Sequence, residues 1–199
     1  MNEMHPNRLS ARAELAALTE DRILNGLATV FAKGDEFSFE RLASEAGVPQ
    51  RTLYRYFPNR EALFTAFWAW VNRRIEVPAR PETPEQVVAH IPDLYAAFDR
   101  GEVLVRAMLH HPYGRAIRIE QAEARREKFR LALASLLETM SEGEGTGLLA
   151  AVTVMCSATG WESMRDNWGL SGPAAAEAAQ WAVRALIDGA RGRSGAGGD

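Results

Sequence analysis

The sequence has a single cysteine, Cys156, and no apolar run long enough to cross a bilayer. One cysteine cannot form an intramolecular disulfide, which excludes a disulfide framework and fits a reducing compartment. The most apolar stretch, LLAAVTVMCSATGW, is interrupted by Thr153 and Ser157 and is shorter than the roughly 20 residues that a membrane-spanning helix needs. The N-terminus also lacks the apolar core of a signal peptide, so we expect a cytoplasmic protein with no membrane segment.

Strand patterns are missing as well. The sequence has no sustained apolar/polar alternation bounded by hairpin turns, whereas apolar residues recur at spacings of three and four throughout. The expected fold is therefore all-α, and the 47% of hydrophobic residues is enough to bury a core.

The residue patterns that mark enzymes and metal proteins do not occur. The chain shows no nucleophile paired with a base, no glycine-rich phosphate loop after a strand, and no paired carboxylates in an apolar setting. His110 and His111 are adjacent, so on a helix they point in different directions, and neither has an acidic or cysteine partner at ligand spacing. We expect neither catalysis nor a metal or cofactor.

The segment from Phe37 to Leu63, FSFERLASEAGVPQRTLYRYFPNREAL, predicts two short helices about a glycine turn. The hydroxyl of Ser38 can cap the first helix, and Gly47 supplies a sharp turn because glycine adopts positive φ at little cost. Pro49 favours the first turn of the second helix. This arrangement is typical of a helix-turn-helix that reads DNA.

The second helix presents cations on its outer side. Leu53 and Phe57 share one side, and Arg51 and Arg55 lie nearly opposite because each residue advances by about 100°. No acid occurs between Gln50 and Arg60. The alternative is an exposed helix whose arginines only keep it soluble, but the turn glycine, the proline and the aromatic anchors together favour DNA. The net charge of −3 requires that local clustering, rather than total charge, attracts phosphate.

Residues 22–64 resemble the TetR family of bacterial transcriptional regulators. The resemblance rests on the helix RILNGLATVFAKG, the AGV turn, and TLYRYF followed by a basic residue and EAL. A lysine is usual in the family at Arg60 and a histidine at Tyr56, and both replacements keep a hydrogen-bond donor. The resemblance implies that Tyr56 and Arg60 bind the DNA backbone, and that the residues facing DNA on the second helix are Gln50, Arg51, Thr52, Tyr54 and Arg55. The predicted DNA-binding residues are Ser38, Gln50, Arg51, Thr52, Tyr54, Arg55, Tyr56 and Arg60.

Chain organisation predicts four segments. Residues 1–18 form an arm or an extension of the first helix, residues 19–64 the DNA-binding domain, residues 65–191 an α-helical ligand-binding and dimerisation domain, and residues 192–199 a disordered tail rich in glycine. Within the third segment we expect a helix closed by Pro78, a helix kinked at Pro92, and a long helix over residues 114–140. The glycine-rich SEGEGTG loop, a helix over about 147–168 and a last helix capped by Ser171 follow.

A ligand pocket is an expectation from the resemblance, since TetR-like proteins commonly bind a small molecule among their middle helices and then lose DNA affinity. The alternative is that the aromatic and methionine residues of this region are simply core. The candidate pocket residues are Trp68, Tyr95, Phe98, Met108, Tyr113, Met155 and Trp161.

The last helix carries more apolar surface than one partner helix requires. The resemblance implies that the two final helices of each subunit form a four-helix dimer interface, and the alternative is that Trp181 seats the helix on its own subunit. The predicted interface residues are Ala178, Trp181, Ala182 and Ala185.

These features predict a homodimeric repressor that binds a double-stranded, pseudo-palindromic operator and is released by a mostly apolar inducer. One rival is a DNA-binding regulator of the same fold that answers to a protein partner or to no small ligand. A second rival is an enzyme with a vestigial DNA-binding head.

Overall fold

The computed structural model describes the backbone of residues 6–196 and the side chains of residues 12–192. Every regular element in this part of the chain is an α-helix, and no strand occurs between residues 6 and 196, so the all-α prediction is confirmed. In chain order the helices are α1 (Pro6–Ala32), α2 (Phe39–Ala46), α3 (Gln50–Tyr56), α4 (Arg60–Arg74), α5 (Pro84–Arg100), α6 (Glu102–His110), α7 (Pro112–Glu120), α8 (Ala122–Ala132), α9 (Ala134–Leu137), α10 (Glu142–Met155), α11 (Ala158–Asp166) and α12 (Gly172–Ala196).

The chain divides into two compact units. The first comprises the described residues up to Arg73 together with Arg106–Ile117. The second comprises Arg74–Val105 and the described residues from Arg118 onward. The sequence analysis ended the DNA-binding domain at residue 64 and assigned the α6–α7 junction to the ligand-binding domain. In the structure this junction belongs to the first unit, because its side chains pack on residues far away in the sequence.

The first unit is organised around α1, which buries Ile23, Leu27 and Val30 and packs on α2. A Cβ atom at Gly26 would lie 3.1 Å from the Cβ of Ala46, so glycine permits the close approach of the two helices. At the start of α4, Asn59 accepts a hydrogen bond from the backbone N–H of Ala62 at 2.8 Å. This is the cap that the sequence predicts.

The first helix, α1, begins at Pro6, well before residue 19, where the sequence analysis starts the DNA-binding domain. Residues 6–18 continue the helix, which decides between the two expectations for this segment in favour of an extension. Residues 1–5 lie outside the described residues.

The second unit rests on the packing of α5 against α12. Pro92 lies inside α5 and has no N–H to offer the carbonyl of Val88, four residues earlier. The side chain of Gln180 in α12 donates to this carbonyl at 3.1 Å. Gln180, which lies 92 positions after Val88 in the sequence, therefore supplies the hydrogen-bond donor that the proline lacks.

Asp99 joins three helices of the second unit. Its carboxylate accepts hydrogen bonds from the indole N–H of Trp161 at 2.9 Å and from Arg165 at 2.7 Å. A Cβ atom at Gly172 would lie 1.9 Å from Asp99 Oδ2, so a side chain at the first residue of α12 would displace this carboxylate. The fold thus fixes α11 and the start of α12 against the end of α5.

Helix boundaries between residues 74 and 140 differ from the expectations. The fourth helix ends at Arg74, short of Pro78, and Glu76 adopts a φ of 56°. The expected helix over residues 114–140 is divided into α7, α8 and α9. At the break between α7 and α8, the carbonyl of Arg118 accepts a hydrogen bond from the side chain of Arg125 at 2.9 Å. At the break between α8 and α9, Leu133 leaves helical geometry with a ψ of 8°.

Expectations for residues 141–199 also need correction. The SEGEGTG segment is not a loop, because Ser141 and Glu144 form a reciprocal capping box that starts α10 at Glu142. The helix expected over residues 147–168 is interrupted at Cys156, and Ser157 caps α11. The helix α12 extends through Ala196, although the sequence analysis placed a disordered tail from residue 192, and residues 197–199 lie outside the described residues.

The proline in α5 and its partner on α12 generate a stability prediction. Gln180→Met removes the donor and leaves the Val88 carbonyl without one, so the free energy of unfolding should fall by about 1–3 kcal/mol. Pro92→Ala restores a backbone N–H for the same carbonyl, and in that background Gln180→Met should cost much less. Urea unfolding of the two single variants and the double variant measures the difference. If Gln180→Met lowered the free energy of unfolding equally in both backgrounds, Gln180 would not compensate for Pro92. Arg184→Met, on the next turn of α12, is the control.

Candidate DNA-binding site

The turn between α2 and α3 has the geometry that the sequence predicts. Ser38 Oγ accepts a hydrogen bond from the backbone N–H of Arg41 at 3.0 Å and caps α2. Gly47 has φ 61° and ψ 37°, in the left-handed region that side chains disfavour. The N–H of Val48 then donates to the carbonyl of Ala43 at 3.0 Å, which closes the turn.

The orientation of α3 is set by two buried side chains. Leu53 is fully buried and Phe57 is 4% exposed, so this side of the helix faces the core. Arg51 and Arg55 lie on the other side, are exposed, and form no ion pair with any residue in the described range 12–192. Both guanidinium groups are therefore available to an external acceptor. Of the other candidates, Gln50 and Tyr54 are exposed, and Thr52 and Tyr56 are half-buried.

The Tyr54 ring is held in place by Phe39, which the sequence analysis did not single out. The two rings stack with centroids 4.8 Å apart and planes within 6° of each other. Tyr54 remains 45% exposed. The stack orients the tyrosine at the outer side of the turn, where its hydroxyl can meet DNA with little loss of side-chain entropy.

Arg60 lies over aromatic rings. Its guanidinium carbon is 4.9 Å from the centroid of the Tyr113 ring and 5.5 Å from that of Phe37. The side chain is nonetheless exposed, so its N–H groups can reach an external acceptor. A contact from Arg60 to phosphate stays a prediction. Tyr113, which the sequence analysis assigned to a ligand pocket, instead supports this arginine.

His111 fixes the α6–α7 junction within the first unit. It is 7% exposed, and its ring stacks on Phe31 at a centroid distance of 4.2 Å. Its Nε2 donates to the backbone carbonyl of Asp35 at 3.0 Å, and its Nδ1 accepts from the backbone N–H of Tyr113 at 3.3 Å. The histidine is thus a structural group. A sequence pattern could not have indicated its partner 76 residues away.

The candidate pocket residues fall into two groups. Tyr95, Phe98, Met155 and Trp161 lie together in the second unit, where the Tyr95 hydroxyl donates to the carbonyl of Met155 at 2.8 Å and the rings of Phe98 and Trp161 meet edge to face. Trp68, Met108 and Tyr113 belong to the first unit. The sequence analysis treated the seven candidate pocket residues as one set, because amino-acid composition does not show which residues belong to the same compact unit.

The Tyr95 hydroxyl and the Cys156 thiol are the titratable groups of this region whose pKa values are shifted by burial. Burial raises the pKa of the Tyr95 hydroxyl and raises the pKa of the Cys156 thiol to about 12, so neither ionises near neutral pH. Cys156 is therefore an unreactive thiol. In residues 12–192 there is no group of three or more histidine, cysteine, aspartate or glutamate side chains placed to hold a metal ion.

Comparison with known families identifies the first unit. Residues 23–67, which hold the end of α1, the turn and the start of α4, match the family described as bacterial regulatory proteins of the tetR family. The chain carries the helix-turn-helix domain of the tetR family. The resemblance that the sequence shows over residues 22–64 lies inside this range except for Arg22, and it is confirmed.

Two curated proteins of Mycobacterium tuberculosis are similar to part of the chain. Each is named an uncharacterized HTH-type transcriptional regulator, one from strain CDC 1551 and one from strain H37Rv. Each is 46% identical over 70 residues, which cover 34% of this chain and 33% of the relative. The chain thus spans about a third of the length of these relatives. Separately, none of the described helices has the length and apolar character needed to traverse a bilayer.

The exposed arginines of α3 in this tetR-family domain generate a binding prediction. Arg55→Ala should weaken binding to the specific operator by about 1–3 kcal/mol, because a bidentate contact is lost, and should leave folding nearly unchanged. Fluorescence anisotropy with operator and unrelated duplexes measures it. Arg73→Ala, an exposed arginine about 20 Å along α4 from Arg60, is the control. An equal loss on both duplexes would assign Arg55 to the phosphate backbone instead of a base.

Proposed function

We propose that the protein is a homodimeric transcriptional repressor that acts in the cytoplasm, binds a pseudo-palindromic DNA operator, and is released by a small, mostly apolar ligand. The observation that carries DNA binding is the outer side of α3. There Arg51 and Arg55 are exposed and form no ion pair within the described residues, on a helix that Leu53 and Phe57 fix in orientation. Such a helix can enter a major groove with its donors directed at base edges.

Binding to a pseudo-palindrome requires two such helices. In a dimer the two recognition helices enter successive major grooves about 34–36 Å apart. We assign dimerisation to the second unit, where α12 buries one side and exposes the other. Trp181 is 74% exposed, although the other side of the helix buries Ala179 and Val183. An indole left in water is expected on a surface that another chain covers.

The exposed side of α12 has the composition of a helix contact. Ala178 and Ala182 are half-buried and Ala185 is exposed beside Trp181, so small side chains surround a large one. On α10 the apolar side chain of Val154 is 50% exposed. Two copies of these helices would form a self-complementary four-helix interface, for which a stable dimer needs at least about 1,200 Å².

We place ligand binding in the second unit, near Tyr95, Phe98, Met155 and Trp161. These side chains are apolar or aromatic and lie on three helices, α5, α10 and α11. Hydrogen bonds of Asp99 and Gln180 also join the helices of this unit. A ligand that binds better to an arrangement with the wrong spacing of recognition helices would lower DNA affinity, by no more than its differential affinity. A regulator controlled by a protein partner, or by no small ligand, remains the alternative.

The dimer proposal predicts the effect of a charge on α12. Trp181→Asp places an unpaired carboxylate in the interface twice, and should give a monomer with normal helical content that has lost tight operator binding. Sedimentation velocity and circular dichroism measure the two properties. Trp168→Asp is a matched control, because Trp168 is also exposed, at 78%, but lies between α11 and α12. A stable dimer of the Trp181 variant would place the interface elsewhere.

The ligand proposal predicts linked changes in stability and DNA affinity. A mostly apolar compound that binds the second unit should quench tryptophan fluorescence, since Trp161 lies among the proposed contacts, and should raise the melting temperature by mass action. Operator affinity should fall in parallel. Tight binding with unchanged operator affinity would disprove release by the ligand, and would favour the alternative control by a protein partner.

A further inference from the structure

A groove lies beside the recognition helix, between α1 and α3, with a volume of about 520 Å³. Four of its lining residues belong to α1 and precede the part of the chain that matches the tetR family, which begins at residue 23. The lining residues are Arg12, Leu15, Ala16, Thr19, Arg55 and Tyr56. The groove therefore joins a segment without an assigned role to the end of α3.

The α1 residues of the groove lie on the same side of the helix as its buried residues, but closer to the N-terminus. At about 100° per residue, Arg12, Ala16 and Thr19 lie within about 40° of Ile23, the first fully buried residue of the helix. Further along α1 this side is covered by α2, but here Leu15 is 65% exposed. The helix extension thus places these residues beside α3 without fully burying them.

The charge of the groove is positive. Arg12 and Arg55 enter it from different helices, and neither forms an ion pair with a residue between 12 and 192. No lining residue is acidic. Glu14 and Asp21 lie on the opposite side of α1, where Asp21 accepts the indole N–H of Trp70 at 2.7 Å.

The donors in the groove suit a phosphodiester. The Arg55 guanidinium lies 5.4 Å from the centroid of the Tyr56 ring, which places an arginine and a phenol side by side. Thr19 Oγ1 already donates to the carbonyl of Leu15 at 2.8 Å, so its proton is not available. Arg12 and Tyr56 are thus the donors available to phosphate, while Arg55, the candidate for base contact, borders the groove and adds to its positive charge. Arginine binds phosphate with two parallel hydrogen bonds.

We propose that this groove binds the sugar-phosphate backbone of the operator next to the major groove that α3 enters, and that Arg12 is a phosphate-binding residue. The inference rests on the proposed DNA binding. DNA is the occupant because the groove is continuous with the outer side of α3, so a duplex that meets Arg51 and Arg55 presents its backbone to Arg12. The N-terminal extension of α1 therefore adds affinity but not sequence preference.

The test compares Arg12→Met, Arg12→Lys and the control Arg22→Met, an exposed arginine of α1 that does not line the groove. Binding is measured from about 50 to 200 mM salt, with a duplex selected from random sequences and with an unrelated duplex. Arg12→Met should lose about tenfold in affinity for both duplexes, and the slope of log K against log salt should fall by about one. Arg12→Lys should recover most of the affinity, and Arg22→Met should match the wild type.

The outcomes separate this inference from the function on which it depends. If wild-type protein bound neither duplex, DNA binding itself would fail and the groove with it. If the wild type bound and Arg12→Met bound equally well with the same salt slope, only the groove would be disproved. A loss confined to the selected duplex would show base reading by Arg12 and would also overturn the phosphate assignment. Unchanged helical content and melting temperature of each variant exclude a folding defect.

Discussion

Burial of Leu53 and Phe57 decides how the seven-residue helix α3 is presented. A helix of this length is not stable by itself, because its few hydrogen bonds do not offset the cost of nucleation. Its direction is therefore imposed by the core of the first unit and by the left-handed turn at Gly47. Once these two side chains point inward, Arg51 and Arg55 must point outward, and every proposal about DNA follows from that geometry.

The second unit depends on polar groups that compensate for one another. Pro92 removes a donor from α5, and Gln180 supplies one from α12. Asp99 receives hydrogen bonds from Trp161 and Arg165, at a point where glycine allows α12 to approach. Such bonds stabilise the packing when complete and are costly when one partner is lost, so the packing of these helices depends on each of them.

Charge and exposure are unevenly distributed over the molecule. The net charge is −3, but exposed arginines at positions 12, 51 and 55 of the first unit form no ion pair within the described residues. Most surface ion pairs of the described residues lie elsewhere, such as Arg126 with Glu123 and Arg130 with Glu127 on α8. Attraction to phosphate depends on this local field, because charges beyond about 8–10 Å are screened at physiological salt.

The sequence by itself determined the all-α fold, the caps at Ser38 and Asn59, the turn at Gly47 and the outward side of α3, because periodicity, capping and positive φ act over a few residues. It did not determine where the later helices break, since those breaks depend on bonds such as Arg125 to the Arg118 carbonyl. Nor did it show that His111 and Tyr113 pack in the first unit, or that Arg12 and Arg55 line the same groove. Only the tertiary structure decided these contacts, because they join residues whose separation along the chain leaves no periodic signal.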